Sequence, residues 1–440
     1  MTAVRSLRIR MGTIDLGSLF ALDDGRTYFR FDEAYATMVP ASRPILSVSY
    51  EGDTDEVTRR QLLDVTLEEN RGDGRGGLPP FFENLLPEGR LRRHLIEEAR
   101  IDPSDSLSLL AYCGSDLPGN VQAVAEKLST RELARLITQG HDSYELSSDQ
   151  LPTPEAQSIS GVQPKVGLVR DPGGRYVMRS KTGSGHFIGK LPTGDYPQLP
   201  EVEHASLLLA QAAGVTTCSH ELLPLHQIDD KLPFEMRDDA QRFLLVHRFD
   251  RDANTPNGRL HAEDFAQITA TVPMNKYSLG YAEVGKVILA RSTQPKDDLL
   301  ELVRRITVNE LLGNPDAHLK NFGFLYPTPR TPVLSPAYDI VAYSVYNKAK
   351  GHGLALAPGY KERLLSPMVL RIWTNLWDIP TQTLSDTVTA TVDSAMRKWP
   401  TLLPTLELSD EHRQRLWAYV ESCDLAQKWI RRHAPPAMAQ

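Results

Sequence analysis

The stretch Gly313-Asn314-Pro315-Asp316-Ala317-His318-Leu319-Lys320-Asn321 constrains this chain more than any other. Gly313 and Pro315 break the helix-like pattern before them, so Asp316 and Asn321, at i and i+5, fall in one tight loop. The apolar run Phe322 to Tyr326 reads as a strand and the Pro- and Thr-rich segment Pro327 to Pro332 as a turn. A second run from Val333 then delivers Asp339. The order is loop, strand, turn, strand, acid.

Phosphoryl transfer uses such a set. One carboxylate orients or deprotonates the attacking hydroxyl, while an amide oxygen and a second carboxylate hold magnesium against nucleotide phosphates. Protein kinases place their base Asp and metal-binding Asn at the same interval, with a metal-binding Asp in a later turn. Alone, Asp316 would read as a turn residue. With Asn321, the hairpin and Asp339 beside it, the kinase reading is ahead.

At 440 residues the chain is too long for one core, so two or three domains or lobes are expected. A hydrophobic share of 41% and a charged share of 24% describe a soluble globular protein. No apolar run is long enough to span a membrane. Near the N-terminus Leu7, Ile9 and Met11 alternate with Arg8 and Arg10, which predicts a strand and not a signal peptide. Cys113, Cys218 and Cys423 are odd in number and far apart, which supports neither a disulfide framework nor a zinc site. A cytoplasmic setting fits these features best. The formal charge of −7 weighs against a large basic face for nucleic acid, so any DNA association is expected through a partner.

Along the chain, Thr27 to Phe31 and Ile45 to Tyr50 read as strands of a small antiparallel unit. Gly72 to Gly77 lacks a preceding strand and a Gly-Lys-Ser/Thr ending, and reads as a plain loop. Phe81, Phe82, Leu85 and Leu86 open an amphipathic helix with a solvated, Arg-rich far face. A helical stretch at 131 to 137 precedes a polar segment at 141 to 155, the candidate boundary. Strand-type runs follow at 165 to 170, 175 to 179, 187 to 191 and 243 to 247. A helix from Glu201 to Ala213 ends at Gly214. From about residue 261 the pattern turns helical, with Leu299, Val303 and Ile306 marking one amphipathic helix and Leu416, Val420 and Cys423 another.

The β-rich middle supplies candidates for a nucleotide lobe. Ser158 to Lys165 is a loop of small residues leading into a strand, where exposed backbone amides could meet phosphate oxygens. Lys190 ends an apolar strand and is costly to bury unless paired. Glu203 on the next helix is its candidate mate, as in the strand-Lys to helix-Glu pair of kinases, against the alternative of two surface charges. In Leu245 to Arg251 an apolar strand runs into a charged turn that could serve as an adenine-reading hinge. Phe249 there is either a ring contact or plain core.

These residues carry a resemblance. The chain resembles the HipA family of bacterial serine/threonine kinases, the toxins of HipA–HipB toxin–antitoxin modules. The shared features are the Ser-Ile-Ser-Gly-x-Gln-x-Lys-like loop, Lys190-Leu191-Pro192, Arg248-Phe249-Asp250-Arg251, Asp316-x-His318-x-Lys320-Asn321 and Tyr338-Asp339-Ile340. Phe81 to Pro87 and Gly114 to Gly119 add to them, so the likeness runs in order over about residues 1 to 400.

The resemblance implies an α+β, protein-kinase-like two-lobed fold with an extra N-terminal β-rich subdomain and a mostly helical C-terminal lobe. The corresponding spans are 1–140 for the N-terminal subdomain, 150–250 for the nucleotide-binding region and 251–440 for the helical lobe. It implies Asp316 as catalytic base, Asn321 and Asp339 as ligands of Mg2+, and Lys190 paired with Glu203. ATP would be met by Ser160, Gly161, Val162, Gln163, Pro164, Lys165, Lys190, His247, Arg248 and Phe249. His318, Leu319, Lys320, Asn321, Tyr338 and Asp339 complete the nucleotide set. Ser158 falls where the family carries its autophosphorylated serine. The expected partners are a helix-turn-helix HipB-like antitoxin and a protein substrate, a translation factor or an aminoacyl-tRNA synthetase, with DNA reached only through the antitoxin. His247 and Pro164 depart from the family pattern, which has Glu at the first position and no proline at the second. Two other readings stay open: a small-molecule or lipid kinase with a similar loop, and a catalytically silent subunit of a repressor complex.

Overall fold

Apolar residues that alternate with polar ones from Leu7 to Met11 open the first sheet. The computed structural model describes residues 2–22, 24–64, 66–127, 144–146, 163–178, 185–233, 241–347, 351–359 and 364–433. Strand β1 (Thr2–Met11) pairs antiparallel with β2 (Ile14–Leu22) and β4 (Val121–Ala125), and β2 pairs with β3 (Thr27–Phe31). Leu7, Ile9 and Met11 are buried against Leu16, Leu19, Phe29 and Phe31, as the period of two requires. Short helices α1 (Glu33–Ala36), α2 (Asp55–Leu63), α3 (Pro80–Glu83), α4 (Gly89–Ala99) and α5 (Ser106–Cys113) close this core.

Two expectations fail in this part of the chain, and a third segment holds an unexpected strand. Ile45 to Tyr50 is no strand: Ser47 caps a 3₁₀ turn at Val48–Tyr50, and its apolar residues are buried without sheet pairing. The helix expected from Phe81 onward is two helices, because Pro87 falls between them and cannot continue α3. Within the segment taken as a boundary, Tyr144–Leu146 forms β5, paired in parallel with Thr2 to Val4. The helical stretch at 131 to 137 lies outside the described residues.

The second sheet is antiparallel throughout, in the order β7-β6-β8-β10-β9. Its strands are β6 (Lys165–Arg170), β7 (Tyr176–Met178), β8 (Phe187–Lys190), β9 (His220–Pro224) and β10 (Arg242–His247). Strand β9 was not legible in the sequence: it is an edge strand with neither face well buried, so it lacks alternation. Helix α6 (Leu199–Ala212) joins the largest core, where the Trp399 indole donates to the Leu209 carbonyl at 2.8 Å.

Beyond residue 260 the chain is mostly helical, but it opens with a strand. β11 (His261–Asp264) pairs with β12 (Gly323–Tyr326), which pairs with β13 (Val333–Leu334), so the expected turn to helix comes only after Asp264. The helices are α7 (Phe265–Ile268), α8 (Tyr281–Arg291), α9 (Pro295–Leu312), α10 (Pro367–Trp377), α11 (Thr381–Leu402), α12 (Asp410–Ser422) and α13 (Asp424–His433). Helix α9 is buried nearly all round, with its inward Asp298, Glu301 and Arg305 hydrogen-bonded. The architecture is α+β: a β-rich N-terminal unit, a five-stranded antiparallel sheet with its helix, and a mostly helical C-terminal part. No helix among the described residues is long and apolar enough to cross a membrane.

A buried ion cluster joins the N-terminal unit to the turn after β10. Asp116, fully buried, accepts from Arg251 at 2.6 Å, Arg259 at 3.1 Å and Arg248 at 3.3 Å, and from the Gly185 amide at 2.9 Å. Asp250 shares Arg248 and Arg251 and takes the Gly119 amide at 2.7 Å. Burial alone would push the Asp116 carboxyl up, but the arginines outweigh it and hold it below the usual range. Removing one partner from such a cluster leaves buried charge unpaired. Asp116→Ala is therefore expected to cost about 3–5 kcal/mol, read as a lower urea midpoint; a wild-type midpoint would contradict the role given to the cluster.

Candidate active site

Helix α9 stops at Gly313, whose φ of +65° is the left-handed conformation that suits glycine. Asn314 then fixes the turn: its side-chain nitrogen donates to Asn309 Oδ1 at 3.0 Å, and its Oδ1 accepts from the Asp316 amide at 3.1 Å. Asp316 is left exposed while Ala317 to Lys320 turn inward. The His318 amide donates to Asn321 Oδ1 at 2.9 Å, closing the loop before β12. The β12–β13 hairpin returns the chain to Asp339, whose φ of +54° is rare for a residue with a Cβ and costs about 1–3 kcal/mol.

Facing this loop is a cluster of four charges, of which Lys165, Lys190 and Glu203 are buried and Asp339 is partly exposed. Lys165 on β6 and Lys190 on β8 are register partners, so two ammonium groups stand on neighbouring strands. Like charges so placed repel; Glu203 from α6 and Asp339 offset them. Lys190 Nζ donates to both Glu203 Oε1 and Asp339 Oδ1, and Asn321 Nδ2 donates to Asp339 Oδ2 at 3.2 Å. Burial would raise the Asp339 carboxyl, yet Lys165 and Lys190 prevail and hold it well below the usual range. For Glu203 burial prevails over Lys190 and raises the carboxyl. Lys190 is the reverse case: its two carboxylates outweigh burial and keep it charged. For Lys165 burial wins and lowers the ammonium. The two surface charges that the sequence left open for Lys190 and Glu203 are excluded.

These groups line one cavity of about 610 Å³. Gln163, Pro164, Lys165, Lys190, His247, Phe249, Asp316, His318, Asn321, Tyr338 and Asp339 all border it. Gln163 donates to the Leu191 carbonyl at 3.2 Å, and the Pro164 carbonyl accepts from the Leu191 amide at 2.9 Å, which ties this strand entry to the end of β8. Phe249 is both core and wall: it packs on the main core and its ring lies 5.6 Å from that of Tyr338. His247 Nε2 is 3.0 Å from Glu221. Burial and the nearby Lys276 hold the His318 imidazole down at about 4, so it is neutral.

Other expected contacts fall elsewhere. Leu319 is buried in the main core and does not border the cavity. Arg248 borders it, but its guanidinium is committed to Asp116 and Asp250. Lys320 also borders the cavity, with its ammonium 2.9 Å from the Asn84 carbonyl and 3.2 Å from Glu88 of the N-terminal unit. Ser158, Ser160, Gly161 and Val162 lie outside the described residues. Sequence reasoning missed Tyr277 and Tyr343, whose hydroxyls meet Asp316. Neither sits in a periodic or motif-like context, so no local signal points to them.

Chemically, the site offers two ammonium groups for anionic oxygens, a hard oxygen pair in Asn321 and Asp339, and an accessible carboxylate in Asp316. The profile of the HipA N-terminal domain matches residues 7–124, and that of the HipA-like C-terminal domain matches residues 157–399. Putative kinase Y4dM of Sinorhizobium fredii is 34% identical over 350 residues, 79% of each chain. The serine/threonine-protein kinase toxin HipA of Shewanella oneidensis is 24% identical over 291 residues, 60% of this chain and 63% of that one. Among solved structures, the Shewanella oneidensis HipA, HipB and operator DNA complex superposes with a TM-score of 0.68 at 20% identity, covering 97% of both chains. Both domains are matched in order, and the second contains Lys165, Lys190, Asp316, Asn321 and Asp339: the chain belongs to the HipA family.

Proposed function

We propose that this chain is a HipA-like kinase that moves the γ-phosphoryl group of ATP to a Ser or Thr of a protein. The observation that carries the reading is Lys190 held between Glu203 and Asp339, with Asn321 on the same carboxylate and Asp316 across one cavity. A protein acceptor is favoured over a small molecule by the match of the N-terminal domain, and the family likeness suggests an aminoacyl-tRNA synthetase or another translation factor.

The donor set fits magnesium. Mg2+ prefers oxygen ligands and is commonly held by one or two side chains plus substrate phosphates. Asp339 is kept ionised, and Asn321 Oδ1 retains a second lone pair beyond the one taken by His318. The Asn321–Asp339 hydrogen bond keeps both candidate ligands side by side. When bound, ATP with magnesium supplies the phosphoryl group and the neutralising charge. Lys190 and Lys165 then face phosphate oxygens, Phe249 and Tyr338 border the cavity's aromatic side, and Asp316 receives the acceptor proton.

Asp316→Asn should preserve nucleotide binding and lower transfer by about 10²- to 10⁴-fold. Phosphoproteomics after brief induction of wild type and Asp316→Asn tests this: one protein site should rise with wild type only. A phosphopeptide carrying Ser158 should follow the same dependence, since autophosphorylation there is part of the proposal. Equal phosphorylation with both proteins would remove Asp316 from the mechanism.

Asp339→Ala should abolish the magnesium-dependent part of the thermal shift given by ATP. An undiminished magnesium-dependent shift would contradict Asp339 as a ligand.

The proposed partner is a small HipB-like helix-turn-helix antitoxin. With a formal charge of −7, the chain alone should bind duplex DNA weakly at physiological salt, since few counterions can be released. Adding the antitoxin should give operator binding in a gel shift that contains both proteins. Tight, sequence-specific binding by the chain alone would count against a partner-borne DNA function.

A further inference from the structure

Two phenols approach Asp316, and they are not equivalent. Tyr277 donates its hydroxyl hydrogen to Oδ1, whereas the Tyr343 hydroxyl stands 3.4 Å from Oδ2. Tyr277 belongs to the loop after a 3₁₀ turn at Pro273–Asn275, and the catalytic loop itself holds it in place. The Leu319 amide donates to the Lys276 carbonyl at 3.2 Å. The Tyr277 ring meets the His318 ring edge-on, with centroids 5.2 Å apart and planes at 78°. Lys276 Nζ lies 5.7 Å from the ring centroid and 3.8 Å from Glu88, a residue that also pairs with Lys320. The phenol is thus fixed by the residues on either side of Asp316 in space, although it is 39 positions away in sequence.

Burial and the Asp316 charge raise the phenol's pKa, so Tyr277 remains a donor at working pH. A carboxylate has about four acceptor positions. The Tyr277 bond at Oδ1 restrains the carboxylate and leaves Oδ2, which Tyr343 approaches at 3.4 Å, with room for a second donor. Tyr343 packs against Tyr196, with centroids 5.5 Å apart, and both phenols border the cavity with Asp316.

We propose that Tyr277 is a positioning residue for phosphoryl transfer: its hydroxyl orients the Asp316 carboxylate so that Oδ2 faces the acceptor hydroxyl. The proposal rests on the kinase reading given above. In the step, the acceptor oxygen bonds to the γ-phosphorus and the bond to the β,γ-bridging oxygen breaks. ADP leaves with that electron pair, and the acceptor proton passes to Asp316. Tyr277 keeps its own proton throughout and touches no reacting atom.

The test uses the full chain, γ-labelled ATP with magnesium, and the acceptor protein returned by the phosphoproteomic comparison. Tyr277→Phe keeps the ring and loses the hydroxyl; Tyr277→Ala loses both. Both should lower kcat by roughly 10- to 100-fold, the scale of a misoriented catalytic group, with KM for ATP and the ATP–magnesium thermal shift unchanged. Tyr277→Phe combined with Asp316→Asn should be no slower than Asp316→Asn alone, because the hydroxyl acts only through that carboxylate. A wild-type kcat in Tyr277→Phe with loss only in Tyr277→Ala would assign the ring to packing and overturn the proposal. Additive losses in the double variant would overturn it as well. Absence of Asp316-dependent transfer in wild type would bring down the kinase reading with it, whereas normal behaviour of wild type and Asp316→Asn would isolate the failure to Tyr277. If Tyr277→Ala does not fold, Tyr277→Phe and the double variant decide alone.

Discussion

Lys190 is the charge on which the site depends. It is buried at the end of β8, beside a second buried lysine on β6, in a place where an ammonium group is tolerated only with carboxylates. Glu203 comes from α6 and Asp339 from the far side of the β12–β13 hairpin, so one nitrogen holds together three separate elements. The same contact explains why Asp339 can keep a left-handed backbone: the side chain is drawn to Lys190 and to Asn321 at once. A nucleotide phosphate entering this cluster would exchange one set of anionic oxygens for another. That exchange is the physical basis for a phosphate site.

Much of this arrangement was legible because it is carried by short-range chemistry. Gly313 and Pro315 announce a break after a helix, and the interval from Asp316 to Asn321 fits within one turn. Strands β6, β8 and β10 carry apolar runs strong enough to be read directly. What failed was decided by packing. Ile45 to Tyr50 has strand-like composition, but the Val48 amide is taken by Glu263 at 3.0 Å instead of a neighbouring strand. His261 to Asp264 looked like the start of a helical region because its partner, β12, lies about 60 positions away. Tyr277 and Tyr343 were invisible for the same reason, since only the tertiary fold brings them to Asp316.

Lys320 shows how a motif residue at the cavity can also hold a second unit of the chain. Its spacing within the Asp316 to Asn321 loop suggested a nucleotide contact, yet its ammonium is spent on Asn84 and Glu88. Arg248 is a parallel case, with its guanidinium inside the Asp116 cluster. Both residues are conspicuous in the sequence because they anchor the N-terminal unit, a role that spacing alone does not separate from ligand binding.

The N-terminal unit is accordingly part of the site's framework. Asn84 accepts from Lys320 and donates through Nδ2 to the Thr271 carbonyl at 2.8 Å, which places it between the catalytic loop and the loop that carries Tyr277. Glu88 repeats the pattern, pairing with Lys320 at 3.2 Å and Lys276 at 3.8 Å. The Leu46 carbonyl contacts His261 Nε2 at 2.8 Å, and Glu263 accepts from Val48, so β11 is held from the same side. A kinase lobe of ordinary design would have to stiffen Asp316 with its own residues. Here the two loops that flank the carboxylate share Asn84 and Glu88, which also border the cavity, as common partners.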